Sequence, residues 1–303
     1  MNTIQTLIDA AATGAVYALM AVGIGLVFGV LRLVNFAYGQ LVMAGAYALA
    51  LTNNLNPFLS ILVCFAVVIG LTMAMDIVAF RPLRRRAASP ATMLVATFAI
   101  SFLLQSIAEL KLGVLGKTVG TLTGLNRPIG HGTLIIRWIW IVAIIVAAIT
   151  LGLLLLLLNR TTLGLHMRAA ASDFRTARLL GVRANGVISL AVLLSGAIAA
   201  IVAVVMTVEN SYVTSDYALR DTIIVLVGVV VGGIDRLWSA TLGGFAIGFA
   251  TGVLNGFLPS TGTWPFTSGV YLDAAVFALV VVVLVVRPDG LFVRPSKAPV
   301  ERA

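Results

Sequence analysis

Nine apolar runs alternate with short polar segments along the chain. We place them near residues 6–30, 36–52, 57–80, 91–112, 137–158, 186–207, 221–234, 238–257 and 270–286. Most of these runs have the length that an α-helix needs to cross about 30 Å of hydrocarbon. The sequence therefore predicts an all-α polytopic integral membrane protein, with about 8–10 transmembrane helices in one bundle.

Composition supports this fold class. Of the 303 residues, 60% are hydrophobic and 10% are charged, and the mean hydropathy is +1.10. A water-soluble domain of this size would need a largely polar surface. We expect residues 1–303 to form a single transmembrane domain. A cleaved signal peptide begins with a basic segment, and no basic residue precedes the first run. We therefore expect this run to be retained in the mature protein.

The positive charges are distributed unevenly between the two ends of the predicted bundle. With the N-terminus outside, fifteen of the 20 Lys and Arg residues fall in inside segments and five fall outside. Short cytoplasmic loops carry such an excess, so the net charge of +9 reports orientation. We expect the C-terminus, with a mobile tail over about 294–303, to be cytoplasmic. The expected surroundings are membrane lipid, and nucleic acid is not an expected partner.

The longest polar interruption inside this charge pattern runs from Arg160 to Gly186. Thr161 or Thr162 can cap a first short helix, Ser172 can cap a second, and Gly181 suits a left-handed helix end. A narrow apolar stripe follows helical spacing through Met167, Ala170, Phe174 and Ala177. Two interpretations fit, a solvated cytoplasmic loop or a docking surface for a soluble partner, and the pattern alone favours the first.

Polar residues inside the apolar runs mark a candidate translocation path. Thr97, Ser101 and Gln105 recur at four-residue spacing in the fourth run, on one side of a helix. Such a stripe faces either a water-filled path or a hydrogen-bonding neighbour helix. Asn35 and Tyr38 lie in a polar segment between the first two runs. That segment is either a tight cytoplasmic turn or backbone that lines a cavity.

Glycine and arginine positions predict how some helices pack and end. The eighth run carries an unbroken ridge of small residues at four-residue spacing, formed by Gly244, Gly248, Gly252 and Gly256, and we expect another helix against it. The third run ends at Arg81-Pro82, where we expect proline to stop the helix. Asp76 lies one turn earlier, where it can pair with Arg81 or Arg84.

The sequence contains no arrangement typical of an enzyme. It has no paired cysteines, no His-Glu-x-x-His and no Gly-x-Ser-x-Gly. Gly116-Lys117-Thr118 ends like a phosphate-binding loop, but Lys111 stands where that loop requires its first glycine. We therefore expect no cofactor on this chain. If the protein moves a solute uphill, its energy must come from another chain.

Several stretches together resemble the permease subunits of bacterial ABC importers of the branched-chain amino acid (LivH) type. They are GLVFGVLRLVNFAYGQLVMAGAY from Gly25, FRPLRR from Phe80, MRAAASDFRTARLLGV from Met167, VLVGVVVGGIDRLWSATLGGFAIG from Val225 and VRPDGLF from Val286. They follow one another in this order and are spread over nearly the whole length of the chain. Tyr38 stands where such proteins usually carry histidine.

This resemblance implies a multi-pass protein of the bacterial inner membrane and a set of partners. They are a second, LivM-like permease subunit, two LivG/LivF-like ATP-binding subunits that hold ATP and Mg²⁺, and a periplasmic solute-binding protein. It also favours the docking interpretation of residues 160–186 as an ATPase-coupling loop. Contact with an ATP-binding subunit is then expected from Arg168, Asp173, Arg175, Ala177, Leu180 and Gly181.

The implied function is translocation of branched-chain amino acids by alternating access, driven by ATP hydrolysis on the partner subunits. Urea, short amides and aromatic acids remain alternative solutes. From other classes, an ATP-independent channel or facilitator would need no ATP-binding partner. A membrane-embedded enzyme would need reactive groups that the sequence does not offer.

The charge distribution predicts a topology that labelling can test. Cysteines introduced at Ala88 and Thr121, in a Cys64→Ala background, should react with an impermeant reagent from opposite sides of the membrane. Labelling of both positions from outside would contradict the predicted orientation.

Overall fold

The computed structural model describes residues 3–86, 88–120, 123–126, 128–129, 136–172, 177, 179, 184–233, 236–257 and 270–286. Its α-helices are α1 (Thr3–Leu31), α2 (Tyr38–Leu51), α3 (Pro57–Met75), α4 (Arg81–Arg85), α5 (Pro90–Leu112), α6 (Trp138–Arg160), α7 (Thr162–Ser172), α8 (Ala184–Glu209), α9 (Leu219–Gly232), α10 (Leu237–Phe257) and α11 (Val270–Val286). Each of the nine predicted runs corresponds to a helix, which confirms the all-α polytopic fold class.

Short non-α elements occur in the connections. Asp76–Phe80 is π-helical and joins α3 to α4, and Thr123–Asn126 is a 3₁₀ turn. Strands β1 (Lys117–Thr118) and β4 (Tyr212–Val213) pair antiparallel, with Lys117 opposite Val213. Strands β2 (Pro128–Ile129) and β3 (Ile136–Arg137) pair in the same sense. These two-residue ladders join loops at one end of the bundle.

Six of the described helical segments are long and apolar enough to cross a membrane. They are Thr3–Leu31, Pro57–Arg85, Pro90–Leu112, Trp138–Arg160, Gly186–Glu209 and Leu237–Gly256. The helices α2 and α9 have 14 residues each. At about 1.5 Å per residue, such a helix is roughly 21 Å long and shorter than the hydrocarbon layer. Twelve residues of α2 are buried, so this helix lies inside the protein.

Helix α1 is the core of the bundle. Every residue from Gly14 to Val27 is buried. Helices α6, α8, α9 and α10 all pack on it. A helix that is apolar on every face is stable only when neighbours or lipid surround it, and here neighbours do. By contrast, Thr97, Ser101 and Ala108 are the buried residues of α5, whose other faces are largely exposed.

The glycine ridge of α10 lies directly against α1. A Cβ atom added to Gly248 would lie 2.8 Å from the Cα of Gly14, and one added to Gly252 would lie 2.5 Å from the Cα of Ala10. Only glycine permits two helix backbones to approach this closely. The outer members of the ridge complete the contact, with Gly244 against Tyr17 and Ala21 and Gly256 against Thr6.

A second glycine contact joins α10 to α9. A Cβ atom on Gly232 would lie 2.8 Å from the Cα of Gly243 and would also overlap the carbonyl of Ser239. The chain turns back between these two helices at Gly233, whose φ of 105° is unfavourable for other residues. Helix α10 is therefore held closely on two faces, and α1 and α9 are brought together around it.

The α1–α10 contact makes Gly248→Leu and Gly252→Leu strongly destabilising. Each leucine would occupy space that the α1 backbone fills, so we expect a loss of at least about 2 kcal/mol in unfolding free energy, or failure to assemble. Thermal unfolding and yield of the detergent-purified protein measure this. The matched control is Gly70→Leu in α3, because a Cβ atom there meets nothing within 4 Å. Equal stability of the ridge variants and the control would show that the bundle does not depend on the close contact between α1 and α10.

Candidate translocation path and docking surface

The segment between α1 and α2 is a buried turn closed by Asn35. The side-chain Oδ1 of Asn35 accepts a hydrogen bond from the backbone N–H of Ala37 at 3.1 Å, and its carbonyl accepts one from Tyr38 N–H at 3.3 Å. Asparagine commonly closes a turn in this way. Asn35 itself is 1% exposed. Of the two interpretations of this segment, the tight turn is therefore present, and it lies within the protein.

Thr97 of α5 lies beside this turn. Its Oγ1 donates to the carbonyl of Leu94 at 2.8 Å and accepts from the backbone N–H of Phe36 at 3.4 Å. The rings of Phe36 and Phe98 stack with their centroids 4.0 Å apart. The structure thus brings together Asn35, Tyr38 and Thr97, which the sequence left in two separate runs.

The polar stripe of α5 continues away from the turn and ends in a hydrogen-bonded group around Glu109. Ser101 is buried, and Gln105 is half-buried and donates from Nε2 to Oε1 of Glu109 at 3.3 Å. The same Glu109 oxygen accepts from Oγ of Ser215 at 2.8 Å. The stripe therefore lies on the inner side of α5, and α2 packs against this helix.

Buried polar groups on α2 lack hydrogen-bond partners within the described part of the chain. The hydroxyl of Tyr38 lies against Gly23 of α1, and both amide atoms of Gln40 are enclosed in the same way. Burying an unpaired polar group costs about 1–3 kcal/mol, so the bundle retains these groups at a penalty. Gln40 is not among the path residues that the sequence predicts. Its signal was a single glutamine inside an otherwise apolar or small-residue helix.

Asp76 forms a buried ion cluster where α3 and α4 meet. The Nε of Arg81 and an Nη of Arg84 each donate to its carboxylate at 2.9 Å, and Oγ of Ser189 in α8 also donates at 2.9 Å. The predicted pairing of Asp76 with these arginines is confirmed. The cluster ties the α3–α4 junction to the start of α8, and it offers no free acid to a solute.

The expectation that Pro82 stops the third helix is wrong. The chain remains helical to Arg85, with Asp76–Phe80 wound as a π-turn and Arg81 N–H bonded to the Asp76 carbonyl. Proline occupies the first turn of the next helix, where its missing N–H is tolerated. The wider turn before it absorbs the break, and the ion cluster on the same residues holds it.

Part of the expected coupling loop is described, and it begins with the predicted cap. Oγ1 of Thr161 accepts from the backbone N–H of Gly164 at 3.1 Å, at the start of α7. Of the expected contact residues, Arg168 lies on α7 and Ala177 lies in a described helical position. Asp173, Arg175, Leu180 and Gly181 lie outside the described residues.

The apolar stripe of this loop is turned away from solvent at its described positions, and Phe174 lies outside the described residues. Met167, Ala170 and Ala177 are each buried, and Ala177 is 4% exposed. This burial arises within the chain itself. Leu179 is 82% exposed, and Leu163 and Leu165 of α7 are exposed as well. The partner contact that we expect from Ala177 stays a prediction, and these exposed leucines are further candidates for it.

No group of three or more His, Cys, Asp and Glu within the described ranges is placed to hold a metal ion. Cys64 is buried against α8, where its thiol lies 3.9 Å from the carbonyl of Ala200. The path residues predicted from the sequence, Asn35, Tyr38, Thr97, Ser101 and Gln105, are all uncharged.

A family comparison matches almost the whole chain. The sequence model of the family described as branched-chain amino acid transport system, permease component, matches residues 6–286. The permease protein BraD of Pseudomonas aeruginosa, from a high-affinity branched-chain amino acid transport system, is 29% identical over 97% of this chain and 96% of its own length. LivH of Escherichia coli K12, a permease protein of such a system, is 27% identical over the same shares.

Solved structures share the fold at lower identity. An ABC transporter of metal-chelate type, in an inward-facing conformation, aligns with a TM-score of 0.52 at 19% identity, over 94% of this chain and 87% of the other. A chain of PsaBC from Streptococcus pneumoniae aligns with a TM-score of 0.51 at 14% identity, over 92% and 90%. These two similarities concern the arrangement of helices alone.

The ion cluster makes Asp76→Ala destabilising. Arg84, whose side chain is 13% exposed, would be left with a largely buried charge that has lost its carboxylate. We expect a loss of about 3 kcal/mol in unfolding free energy, measured by thermal or denaturant unfolding in detergent. Arg85→Ala is the control, since Arg85 is exposed and its loss should change stability by about 0.5 kcal/mol or less. Wild-type stability of Asp76→Ala would show that the cluster contributes little.

Proposed function

The chain belongs to the family of permease components of branched-chain amino acid transport systems, and from this premise we propose how it works within an ABC importer. It is a multi-pass subunit of the inner membrane that carries solute across and does not itself catalyse a reaction. The observation that carries the proposal is the family match over residues 6–286. The solute class that we propose for this chain is branched-chain amino acids.

We propose that solute passes along α2 and the inner side of α5. The lining groups are those predicted from the sequence, namely Asn35, Tyr38, Thr97, Ser101 and Gln105, extended by Gln40. A branched-chain amino acid combines an apolar side chain with an ammonium and a carboxylate group. An apolar wall with a few uncharged donors and acceptors suits such a solute, because it orients the charged groups without holding them tightly.

The unpaired groups of α2 support this placement. Tyr38 and Gln40 together supply a hydroxyl and an amide, which can both donate and accept hydrogen bonds. They are enclosed when the path is closed, so a conformational change of the bundle must open them to a solute. This requirement agrees with alternating access, in which the two sides of the membrane are never open together.

ATP-binding subunits are the proposed source of energy. They would hold ATP and Mg²⁺, and this chain would need no cofactor of its own. Their closure would push on α7 and the segment that follows it, and the buried stripe of Met167, Ala170 and Ala177 would transmit the movement to the bundle. The exposed side chains of Leu163, Leu165 and Leu179 would form the contact.

A second permease subunit is proposed to cover the outer face of α5. Val95, Phe102 and Leu103 are well exposed on this face, while the polar stripe lies on the opposite side of the same helix. If a LivM-like chain packed there, α5 would lie at the interface, between the rest of this subunit and the second one. A periplasmic solute-binding protein would then deliver the solute at the end of the bundle opposite to α7.

The docking proposal predicts that Leu179→Asp weakens the association of the permease with the ATP-binding subunits. A carboxylate in the centre of an apolar contact has no partner, so copurification of the ATP-binding subunits and solute-stimulated ATP hydrolysis should both fall roughly tenfold or more. Leu115→Asp is the matched control for copurification, because Leu115 is 84% exposed and precedes β1 at the other end of the bundle. If Leu179→Asp retains the ATP-binding subunits as the control does, the docking surface lies elsewhere.

The path proposal predicts that Gln40→Leu lowers transport without lowering the stability of the protein. Leucine has a similar size and removes an unpaired buried amide, so unfolding free energy should be unchanged or rise by about 1 kcal/mol. Uptake of radiolabelled leucine by the reconstituted complex should fall several-fold, because the amide no longer meets the solute. Leu41→Met, at the fully buried neighbouring position, is the control for a change of packing alone. Uptake at the wild-type rate in Gln40→Leu would remove this residue from the path.

A further inference from the structure

A groove of about 640 Å³ opens beside α1, on the side of the bundle where α7 lies. Its walls are formed by α1, α6 and α10, and they consist mainly of leucine, valine and glycine side chains. Gly29 contributes open space, since a Cβ atom there would meet nothing within 4 Å. Trp238 stands at its edge and is 59% exposed. None of the solute-path residues lines this groove.

Three arginines lie at one end of this apolar groove. They are Arg32 after α1, Arg168 on α7 and Arg236 before α10, and all three contribute to its lining. Arg168 donates from an Nη atom to Oδ1 of Asn159, another lining residue, at 3.4 Å. Among the described lining residues there is no Asp or Glu; Asp235, next to Arg236, lies outside the described part. The groove therefore combines a long apolar wall with a cationic end.

We propose that this groove binds an anionic phospholipid, with an acyl chain along the leucine wall and the phosphate among Arg32, Arg168 and Arg236. Guanidinium groups bind phosphate oxygens with two parallel hydrogen bonds, which favours this arrangement over a diffuse charge interaction. Basic pockets between membrane helices are typical sites for lipid head groups. Tryptophan at the groove edge suits the depth of the head groups in a bilayer.

Charge complementarity selects a lipid over the chain's own tail. Residues 287–303 contain four basic and two acidic residues, so their net charge repels three arginines. An acyl chain also matches a wall that offers few hydrogen bonds, whereas a peptide would bury unpaired backbone groups there.

The lipid would join α1 and α10 to α7. Its phosphate would contact Arg168 on α7 together with arginines at the ends of both core helices, so it would hold the start of the coupling loop against the bundle. The binding site itself does not rest on the transport function proposed above. Binding and transport can therefore be tested separately.

Photocrosslinking in native membranes identifies the occupant. p-Benzoylphenylalanine in place of Trp238, in the full chain assembled with its natural partners, should form an adduct with the mass of a phosphatidylglycerol or cardiolipin. An adduct to the segment 287–303, to another protein chain or to a neutral phospholipid would overturn the proposal. So would the absence of any lipid adduct, because the probe lies at the mouth of the groove.

Native mass spectrometry of the purified full chain measures the contribution of the arginines. Phosphatidylglycerol should bind more tightly than phosphatidylcholine with the same acyl chains. In Arg32→Gln/Arg236→Gln this preference should fall about 25-fold, because each arginine near an anionic head group contributes roughly fivefold. The charge-matched control is Arg85→Gln/Arg86→Gln, at two exposed positions away from the groove. If both double variants lost the preference for phosphatidylglycerol equally, the preference would come from net charge alone, and the proposed site would be wrong.

Two further experiments test whether the apolar wall contributes to binding and whether the bound phosphate belongs to a lipid. Gly29→Leu should fill the groove without a clash and weaken phosphatidylglycerol binding several-fold, whereas Gly70→Leu should leave it unchanged. Millimolar glycerol phosphate should not displace the lipid, since it has no acyl chain for the leucine wall. Displacement by glycerol phosphate, or full binding in Gly29→Leu, would mean that the arginines bind soluble phosphate and that the groove is not a lipid site.

Discussion

The close contact between the backbones of α1 and α10 is the constraint on which the rest of the bundle depends. In a membrane, lipid tails are as apolar as leucine, so helices associate through tight packing and not through removal of apolar surface from water. Four glycines of α10 allow that packing along the length of α1. Once α1 is enclosed from Gly14 to Val27, its neighbours α6, α8 and α9 have fixed places. The arginine-ended groove remains between α1, α6 and α10, on the side of α7.

Buried polar groups are handled in two ways around this core. At the junction of α3 and α4, Asp76 is fully paired with two arginines and Ser189, and the cluster fixes the geometry of a π-turn. On α2, Tyr38 and Gln40 are enclosed without partners in the described part of the chain. A paired cluster resists rearrangement, whereas unpaired groups gain hydrogen bonds when the structure opens. The first arrangement suits a fixed joint, and the second suits a path that must accept a polar solute.

Several features of the fold could be predicted because they depend on local spacing. The apolar runs correspond to helices because a segment in lipid must form its backbone hydrogen bonds internally. The length and hydropathy of a run are enough to identify such a segment. The glycine ridge was visible as a four-residue period, and the Asp76 pairing as a separation of about one to two helical turns. Pro82 was misjudged for an instructive reason. The effect of a proline depends on whether the preceding turn can widen, and here an ion cluster and a contact with α8 hold that wider turn.

The sequence by itself determined the fold class and the family, because periodicity, composition and ordered motifs are properties of the linear chain. Tertiary structure decided which surfaces individual residues face. Ala177 and Leu179 are two positions apart, yet one is buried and the other is exposed. Gln40 became notable only when its amide was seen to be enclosed without a partner, and three arginines from distant segments met only at the end of one groove. Facing and enclosure arise from contacts between segments far apart in sequence, and no local pattern encodes them.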